Sequence, residues 1–313
     1  MIASYLNILV IFAIICLGYI LTWKKWFDNR IADVFSKLVL NITLPLSMFL
    51  NMTQKFTKAE FLDLFKGILL PFVSILITFI ISFIYAKVTK VPITRKGTFQ
   101  VMFTAANTIF MGLPVNMAVF GEKAIPYALL YYICNTSFFF TIGIMLIAKD
   151  NPDVKKSHTT FNFKKFLKKL LSPALSGFIV GILWLLTGID VPKPIIDFSS
   201  YLGSMTTALS LFVIGIIIYQ TGVKNIRLTR DVVGVLIGRY VISPLVVYLL
   251  SFIIPVPSLM LKVFILQSAM PVQNSMPILA RGYGADEKFA TSSLTYSIFT
   301  YFIFILILLG IFF

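Results

Sequence analysis

The sequence predicts an all-α membrane protein whose chain crosses the bilayer ten times, and three observations support this fold class. Of the 313 residues, 58% are hydrophobic and only 12% are charged, which is typical of a chain embedded in lipid. Apolar segments of roughly 20 residues, the length needed to cross a bilayer, recur along the chain. Lysines and arginines are concentrated in alternate loops between these segments.

Each of the ten apolar segments is predicted to form a transmembrane helix. In chain order they are Ile2–Trp23, Ile31–Met52, Phe61–Val88, Gly97–Phe120, Ala124–Ala148, Leu170–Thr187, Ile195–Gln220, Val232–Ile254, Ser258–Arg281 and Phe289–Phe313. The first segment has no basic leader and is followed by Lys24 and Lys25, so we interpret it as a true span and not as a signal peptide. Cys16 and Cys134 lie within apolar segments and are predicted to be buried and unpaired.

The net charge of +15 is interpreted as a sign of topology. With the N-terminus outside, most of the 27 lysines and arginines fall on the inner side of the membrane. The outer side holds Lys55, Lys58, Lys66, Lys123, Lys193 and Lys262. Because basic loops remain in the cytoplasm, we expect a multi-pass protein of the plasma (cytoplasmic) membrane with both termini outside.

A basic stretch, residues 149–169, separates two halves of the chain, residues 1–148 and 170–313. Its lysines are interleaved with Phe161, Phe163 and Phe166. This pattern favours an amphipathic helix on the anionic inner leaflet. Binding of nucleic acid is the alternative interpretation of this basic stretch, but we expect no nucleic-acid partner.

The fourth segment contains residues that interrupt a helix, namely Asn107, Gly112 and Pro114. Proline removes a backbone donor and clashes with the preceding turn, and Gly112 is expected to let the chain leave helical geometry. Freed backbone groups cost several kcal/mol in lipid unless they find partners. Interrupted helices of this kind form substrate sites in transporters, although an ordinary proline kink is the alternative.

The ninth segment is interrupted in a similar way by Pro271, Gln273, Asn274 and Pro277. When the sequence is aligned with itself at the shift that pairs Pro114 with Pro277, further identical residues are paired. These pairs include Gly18 with Gly181, Thr43 with Thr206, and Phe49 with Phe212. Since each half then has five segments, the second half enters from the opposite side of the membrane. The sequence therefore predicts two inverted five-helix repeats whose interrupted helices, four and nine, meet near the midplane.

At these residues the chain resembles the auxin efflux carrier family of membrane transporters, including its bacterial dicarboxylate (malate or malonate) members. The resemblance rests on the motif Asn-x-x-Phe-x-Gly-x-Pro at Asn107, Phe110, Gly112 and Pro114. The stretch Leu38–Pro45 of the second segment adds to it. The resemblance covers nearly the whole chain.

The resemblance implies a fold like that of the sodium/bile-acid symporters, in which segments one, two, six and seven form a scaffold and the others a mobile transport unit. It implies a secondary active transporter of small organic anions, such as malate, malonate or auxin-like weak acids, that works by an elevator type of alternating access. The implied substrate-binding residues are Ser47, Asn107, Phe110, Gly112, Pro114, Asn135, Pro271, Gln273, Asn274 and Pro277.

The polar residues among these have structural alternatives. Asn107 binds a carboxylate or caps the half-helix that it precedes. Gln273 and Asn274 bind the substrate or a sodium ion, or they satisfy the backbone of the interruption. Asn135 and Ser47 face the crossing or make hydrogen bonds between helices.

Arg239 lies within the eighth segment, where a charge is costly and often functional. Attraction of the anion, pairing with a carbonyl and snorkelling to the inner surface are the three interpretations. No Asp or Glu lies deep in a predicted span, which favours an anionic substrate. Related sodium/bile-acid symporters have a glutamate at the position of Ala269, so sodium symport, proton symport, uniport and exchange all stay open.

Other classes of protein are less compatible with the sequence. A lipid-modifying enzyme needs clustered Asp, His or Glu at a membrane face, and the sequence has no such cluster. We therefore expect no enzymatic activity, no cofactor and no metal centre. A channel or a substrate-sensing receptor is the main alternative to a carrier. The protein is expected to act within the lipid bilayer, with a homodimer as one candidate assembly.

Overall fold

A computed structural model describes residues 2–55, 57, 67–151, 173–221 and 227–312. Within these ranges the regular structure is helical, without a strand. The all-α fold class is therefore confirmed for the described part of the chain. The basic stretch predicted at residues 149–169 lies outside the described residues from position 152 onward.

Helices follow one another along the described ranges. They are α1 (Ile2–Trp23), α2 (Asn29–Leu38), α3 (Leu44–Lys55), α4 (Leu69–Val88), α5 (Lys96–Thr104), α6 (Leu113–Phe120), α7 (Ile125–Phe138), α8 (Ile144–Lys149), α9 (Pro173–Thr187), α10 (Lys193–Thr221), α11 (Arg230–Ile237), α12 (Ser243–Leu250), α13 (Ser258–Ser268), α14 (Met276–Tyr283) and α15 (Glu287–Phe312). Wider π-helical turns precede α3, α6, α8 and α12, at Val39–Thr43, Thr108–Gly112, Phe139–Gly143 and Gly238–Ile242. A 3₁₀ turn, Glu122–Ala124, precedes α7.

Seven helical stretches in the described part are long and apolar enough to cross a membrane. They are Arg30–Gln54, Leu69–Val88, Lys96–Phe120, Glu122–Lys149, Lys193–Gln220, Arg230–Leu250 and Glu287–Ile311. Three shorter apolar helices, Phe12–Trp23, Ser176–Thr187 and Ser258–Ser268, coincide with the predicted segments one, six and nine. The helices fit a multi-pass membrane protein, and the count of ten spans stays a prediction.

The chain divides into two compact units. The first unit consists of Met1–Gly67, Ile109–Leu129 and Leu167–Gln220, and the second of Ile68–Thr108, Leu130–Phe166 and Thr221–Phe313. The first unit thus holds segments one, two, six and seven. The second holds most of segment three and all of segments eight, nine and ten, while segments four and five are divided. Each unit draws on both halves of the sequence.

Helices of the first unit approach one another closely at glycines. A Cβ atom added to Gly18 of α1 would lie 2.9 Å from the carbonyl oxygen of Phe212 in α10. A Cβ atom added to Gly181 of α9 would lie 3.2 Å from the Cα atom of Phe49 in α3. Small residues permit such approaches between membrane helices, so these glycines fix how the first unit packs.

The two cysteines differ in burial. Cys134 is buried, as predicted, but Cys16 is exposed, so the prediction is wrong for Cys16. The reason is that lipid is as apolar as a protein core. Apolar neighbours in the sequence therefore do not distinguish a side chain on an uncovered helix face from a buried one.

Candidate functional site

Both predicted interruptions are present. In the fourth segment, α5 ends at Thr104 and helical structure resumes at Thr108. In the ninth segment, α13 ends at Ser268 and α14 begins at Met276. Each interruption leaves the end of one helix and the start of another within the chain's apolar segments, with backbone groups that need partners.

The first interruption lies earlier than the Gly-x-Pro motif. Gly112 has helical backbone angles, with φ −62° and ψ −46°, and Pro114 lies in the first turn of α6. Pro277 has the same place in α14. A proline in the first turn lacks only an N–H that has no helical partner there. Pro277 therefore lies at the start of its half-helix, whereas Pro114 lies six residues after Thr108, where helical structure resumes in the fourth segment. The expectation that the chain leaves helical geometry at Gly112 is wrong.

The two interruptions contact each other through Asn107. Its backbone N–H donates a hydrogen bond to the carbonyl oxygen of Pro271 at 2.8 Å. Its Nδ2 donates a second hydrogen bond to Oδ1 of Asn274 at 3.0 Å. The Asn107 side chain is 3% exposed, whereas Gln273 and Asn274 are partly exposed. The second unit thus brings Asn107, Pro271 and Asn274 together.

Asn135 of α7 satisfies the backbone of the first interruption. Its Oδ1 accepts a hydrogen bond from the N–H of Ala106 at 2.9 Å, and its Nδ2 donates to the carbonyl oxygen of the same residue at 3.1 Å. The side-chain amide thus makes the two hydrogen bonds that the backbone of a neighbouring helix or strand residue would otherwise make. Of the two interpretations of Asn135, the structure shows the hydrogen bond between segments.

Two further polar side chains, not identified from the sequence, support the interruptions. Oγ of Ser297 in α15 accepts a hydrogen bond from the N–H of Val272 at 3.1 Å. Nε2 of Gln267 in α13, which is fully buried, donates to the carbonyl oxygen of Thr108 at 3.3 Å. Both residues are polar positions inside apolar segments, which is the signal that could have identified them.

Arg239 is fully buried in the π-helical turn between α11 and α12. Its Nη1 donates to the carbonyl oxygen of Thr104 at 2.6 Å, and its Nε donates to that of Met270 at 3.0 Å. The guanidinium group therefore pairs with carbonyls, as one interpretation proposed. Snorkelling to the inner surface is contradicted because the side chain has no exposed surface.

The helix α5 is held at its N-terminus by a carboxylate. Asp150 accepts hydrogen bonds from the N–H groups of Gly97 and Thr98 at 2.7 and 2.6 Å, and from the Thr98 hydroxyl at 2.7 Å. Burial raises the pKa of the Asp150 carboxyl group above its ordinary value, and these hydrogen bonds offset only part of the rise. A negative group at the start of α5 and the positive Arg239 at its end both complement the helix dipole.

The remaining predicted site residues belong to the first unit. Ser47 is buried on α3 and faces α10, where a Cβ atom added to Gly203 would lie 3.2 Å from the Cα atom of Ser47. Phe110, Gly112 and Pro114 follow the first interruption along the chain. Among the described residues, no group of three or more His, Cys, Asp and Glu side chains is placed to hold a metal ion.

Two interrupted helices that are hydrogen-bonded to each other within a multi-pass membrane chain are typical of membrane transport proteins. Over residues 3–312 the chain matches the family described as membrane transport protein. The chain belongs to this family, which is that of the auxin efflux carriers. The predicted family is thereby confirmed.

Relatives with the same overall length occur in archaea. The chain is 22% identical over 298 residues to an uncharacterized transporter of Methanocaldococcus jannaschii, with 92% of each chain covered. It is 22% identical over 296 residues to an uncharacterized transporter of Methanothermobacter thermautotrophicus, with 91% of each chain covered. Both names support transport across a membrane, and neither names a substrate.

Proposed function

We propose that the protein is a secondary active transporter of small organic anions in the cytoplasmic membrane. Its substrates would be carboxylates such as malate, malonate or auxin-like weak acids. The observation that carries the proposal is the contact of the two interrupted helices through Asn107, Pro271 and Asn274. The family and the names of the relatives support transport and give no support to an enzymatic activity.

The chemistry of the interruptions supports an anionic substrate. Asn107, Gln273 and Asn274 are neutral amides, whose N–H groups can donate hydrogen bonds to a carboxylate. The start of α14 adds partial positive charge. We assign substrate contact to these three amides, while Asn135 positions the backbone because Ala106 uses both ends of its amide.

The division into two units supports an elevator type of alternating access. Both interruptions belong to the second unit, as do Asn135, Gln267 and Arg239, which support them. We propose that the second unit is the transport unit and the first unit the scaffold. In this mechanism the substrate moves with the unit that binds it.

Contacts within the first unit support the inverted repeat. Gly18 approaches Phe212, and Gly181 approaches Phe49. The superposition inferred from the sequence pairs Gly18 with Gly181 and Phe49 with Phe212, so each contact is the copy of the other. This reciprocity favours two related repeats of five helices, and we propose with it their opposite orientation, ten spans in total and both termini on the outer side.

Counterflow in proteoliposomes tests the proposed function. Vesicles containing the purified protein are preloaded with one of several acids and diluted into a trace of the same acid in labelled form. We expect transient accumulation of label with a carboxylate, strong reduction by Asn107→Ala, and little change with Asn41→Ala. Asn41 is a matched control because its Nδ2 bonds only to the carbonyl of Lys37 in its own segment.

The outcomes separate the alternatives. Flux that does not saturate and shows no counterflow would identify a channel. Absence of flux with every acid, for protein shown to be folded, would contradict the substrate class. Counterflow that is equal in wild type and Asn107→Ala would contradict the assigned site.

A further inference from the structure

The guanidinium group of Arg239 contacts the C-terminal ends of both interrupted helices. At the end of α5, Nη1 donates to the carbonyl oxygens of Thr104 and Phe103, at 2.6 and 3.3 Å. At the end of α13, Nη2 donates to that of Ser268 and Nε to that of Met270, the latter at 3.0 Å. One side chain therefore joins the two half-helices that precede the interruptions.

This charge is balanced without a carboxylate. Arg239 is fully buried, and the salt bridges between described residues do not include it. The C-terminus of an α-helix carries roughly half a negative elementary charge. Two such ends together offset about one positive charge, so the carbonyls of α5 and α13 account for a buried guanidinium that would otherwise be very costly.

The local packing holds Arg239 in this place. It lies on a π-helical turn, Gly238–Ile242, a feature that is frequent at functional sites. A Cβ atom added to Gly238 would overlap the ring of Phe103. The turn can therefore approach α5 only because position 238 is a glycine, and this approach brings the guanidinium group within reach of the carbonyls.

Carbonyl oxygens at the ends of interrupted helices are the groups that bind sodium ions in many transporters. Here the carbonyls at both ends are already bonded to Arg239. Ala269, between two of them, supplies no carboxylate, so a sodium ion here would lie beside the buried charge of Arg239 with no negative side chain to balance both cations. The residues present therefore do not fit a sodium ion at this point of the helix crossing.

We propose that Arg239 is a built-in cation that takes the place of a coupling sodium ion between α5 and α13, so that the protein assembles its substrate site without sodium. Arg239 is a positioning residue, because four of its five N–H donors are used by backbone carbonyls. The planar guanidinium group distributes its donors over carbonyls of two chain segments, whereas the ammonium group of lysine has three donors on a single atom. The part of this proposal that concerns the substrate site rests on the proposed function, whereas the part that concerns Arg239 and sodium does not.

The first test is the thermal stability of the purified full-length protein without any substrate. We expect the same melting temperature for wild type in sodium, potassium and choline chloride at equal ionic strength. Arg239→Met should melt roughly 10 °C lower, because the carbonyls lose their partner. Guanidinium chloride at low millimolar concentration should restore part of the stability of Arg239→Ala, whose shorter side chain leaves the space of the guanidinium group empty, and should leave wild type unchanged.

Arg281→Met is the matched control. Arg281 is exposed and pairs with Glu287, so its loss leaves no cavity that guanidinium could fill, and no rescue is expected. Saturable stabilisation of wild type by sodium would overturn the proposal. It would also be overturned if Arg239→Met were as stable as wild type, or if Arg239→Ala were folded but not rescued by guanidinium. If Arg239→Met does not fold, the comparison of salts on wild type decides.

The second test uses transport. Counterflow by wild type should have the same rate in sodium-free and sodium-containing buffers. A requirement for sodium would overturn the proposal. If no acid is transported at all, the proposed function fails, while the comparison of melting temperatures still decides the role of Arg239.

Discussion

The hydroxyl of Thr206 donates a hydrogen bond to the hydroxyl of Thr43 at 2.9 Å, and the two residues are 163 positions apart. This is the same shift that superimposes Pro114 on Pro277. Two copies of one residue contact each other when they lie on the axis that relates two repeats. The contact supports the proposed inverted repeat, whose axis would pass, in the first unit, between the π-helical turn before α3 and the helix α10.

A disulfide tests this contact. In a background with Cys16→Ala and Cys134→Ala, we expect the double variant Thr43→Cys/Thr206→Cys to form an intramolecular disulfide on mild oxidation, because the two hydroxyl oxygens are already adjacent. A protease that cuts within residues 152–172 would release the halves, and their joint migration in a non-reducing gel measures the bond.

The control pair is Thr43→Cys/Thr207→Cys. Thr207 is the next residue of α10, and its hydroxyl contacts Sδ of Met117 instead of Thr43. This pair should oxidise much more slowly. Equal rates for the two pairs would contradict the contact and weaken the argument for the repeat.

Asn135→Ala should destabilise the protein. The substitution removes the partners of both the N–H and the carbonyl of Ala106, and an unpaired buried group costs roughly 1–3 kcal/mol. We expect a loss of roughly 2 kcal/mol together with slower counterflow, measured as a lower melting temperature and a lower initial rate. A variant with unchanged stability would show that water or other groups replace the amide.

Asp150→Ala should also be destabilising, because three hydrogen bonds at the start of α5 are lost. The expected loss is roughly 2 kcal/mol, measured as the melting temperature in detergent. Asp28→Ala serves for comparison, since Asp28 caps α2 through one exposed hydrogen bond to the N–H of Ile31. If both substitutions had the same effect, Asp150 would be no more than an ordinary surface cap.

The sequence predicted the interruptions because their causes are local. Proline, glycine and asparagine within an apolar segment weaken a membrane helix, and they indicate where it can be interrupted if other groups satisfy the backbone. Their exact place depended on tertiary contacts. The chain leaves helical geometry at Ala105 and not at Gly112, since Asn135 and Pro271 supply partners for the backbone there.

The partners of the interruptions were harder to predict. Gln267 and Ser297 are single polar residues in apolar segments, and nothing in their own segments says which backbone group they meet. Arg239 was recognised as unusual from its position alone. Which carbonyls it would meet depended on the approach of its turn to α5, which is a property of packing and not of the local sequence.

The proposed function requires that an organic anion binds at the contact of the two interruptions. The most direct measurement is the Kd of the purified protein for the acid that counterflow identifies, in wild type, Asn107→Ala, Asn274→Ala and the double variant. We expect each single substitution to weaken binding about tenfold. Because Asn107 and Asn274 are hydrogen-bonded to each other, the double variant should bind much more tightly than the product of the two losses predicts. Unchanged affinity in all three variants, with their folding verified, would contradict binding of the anion at this contact.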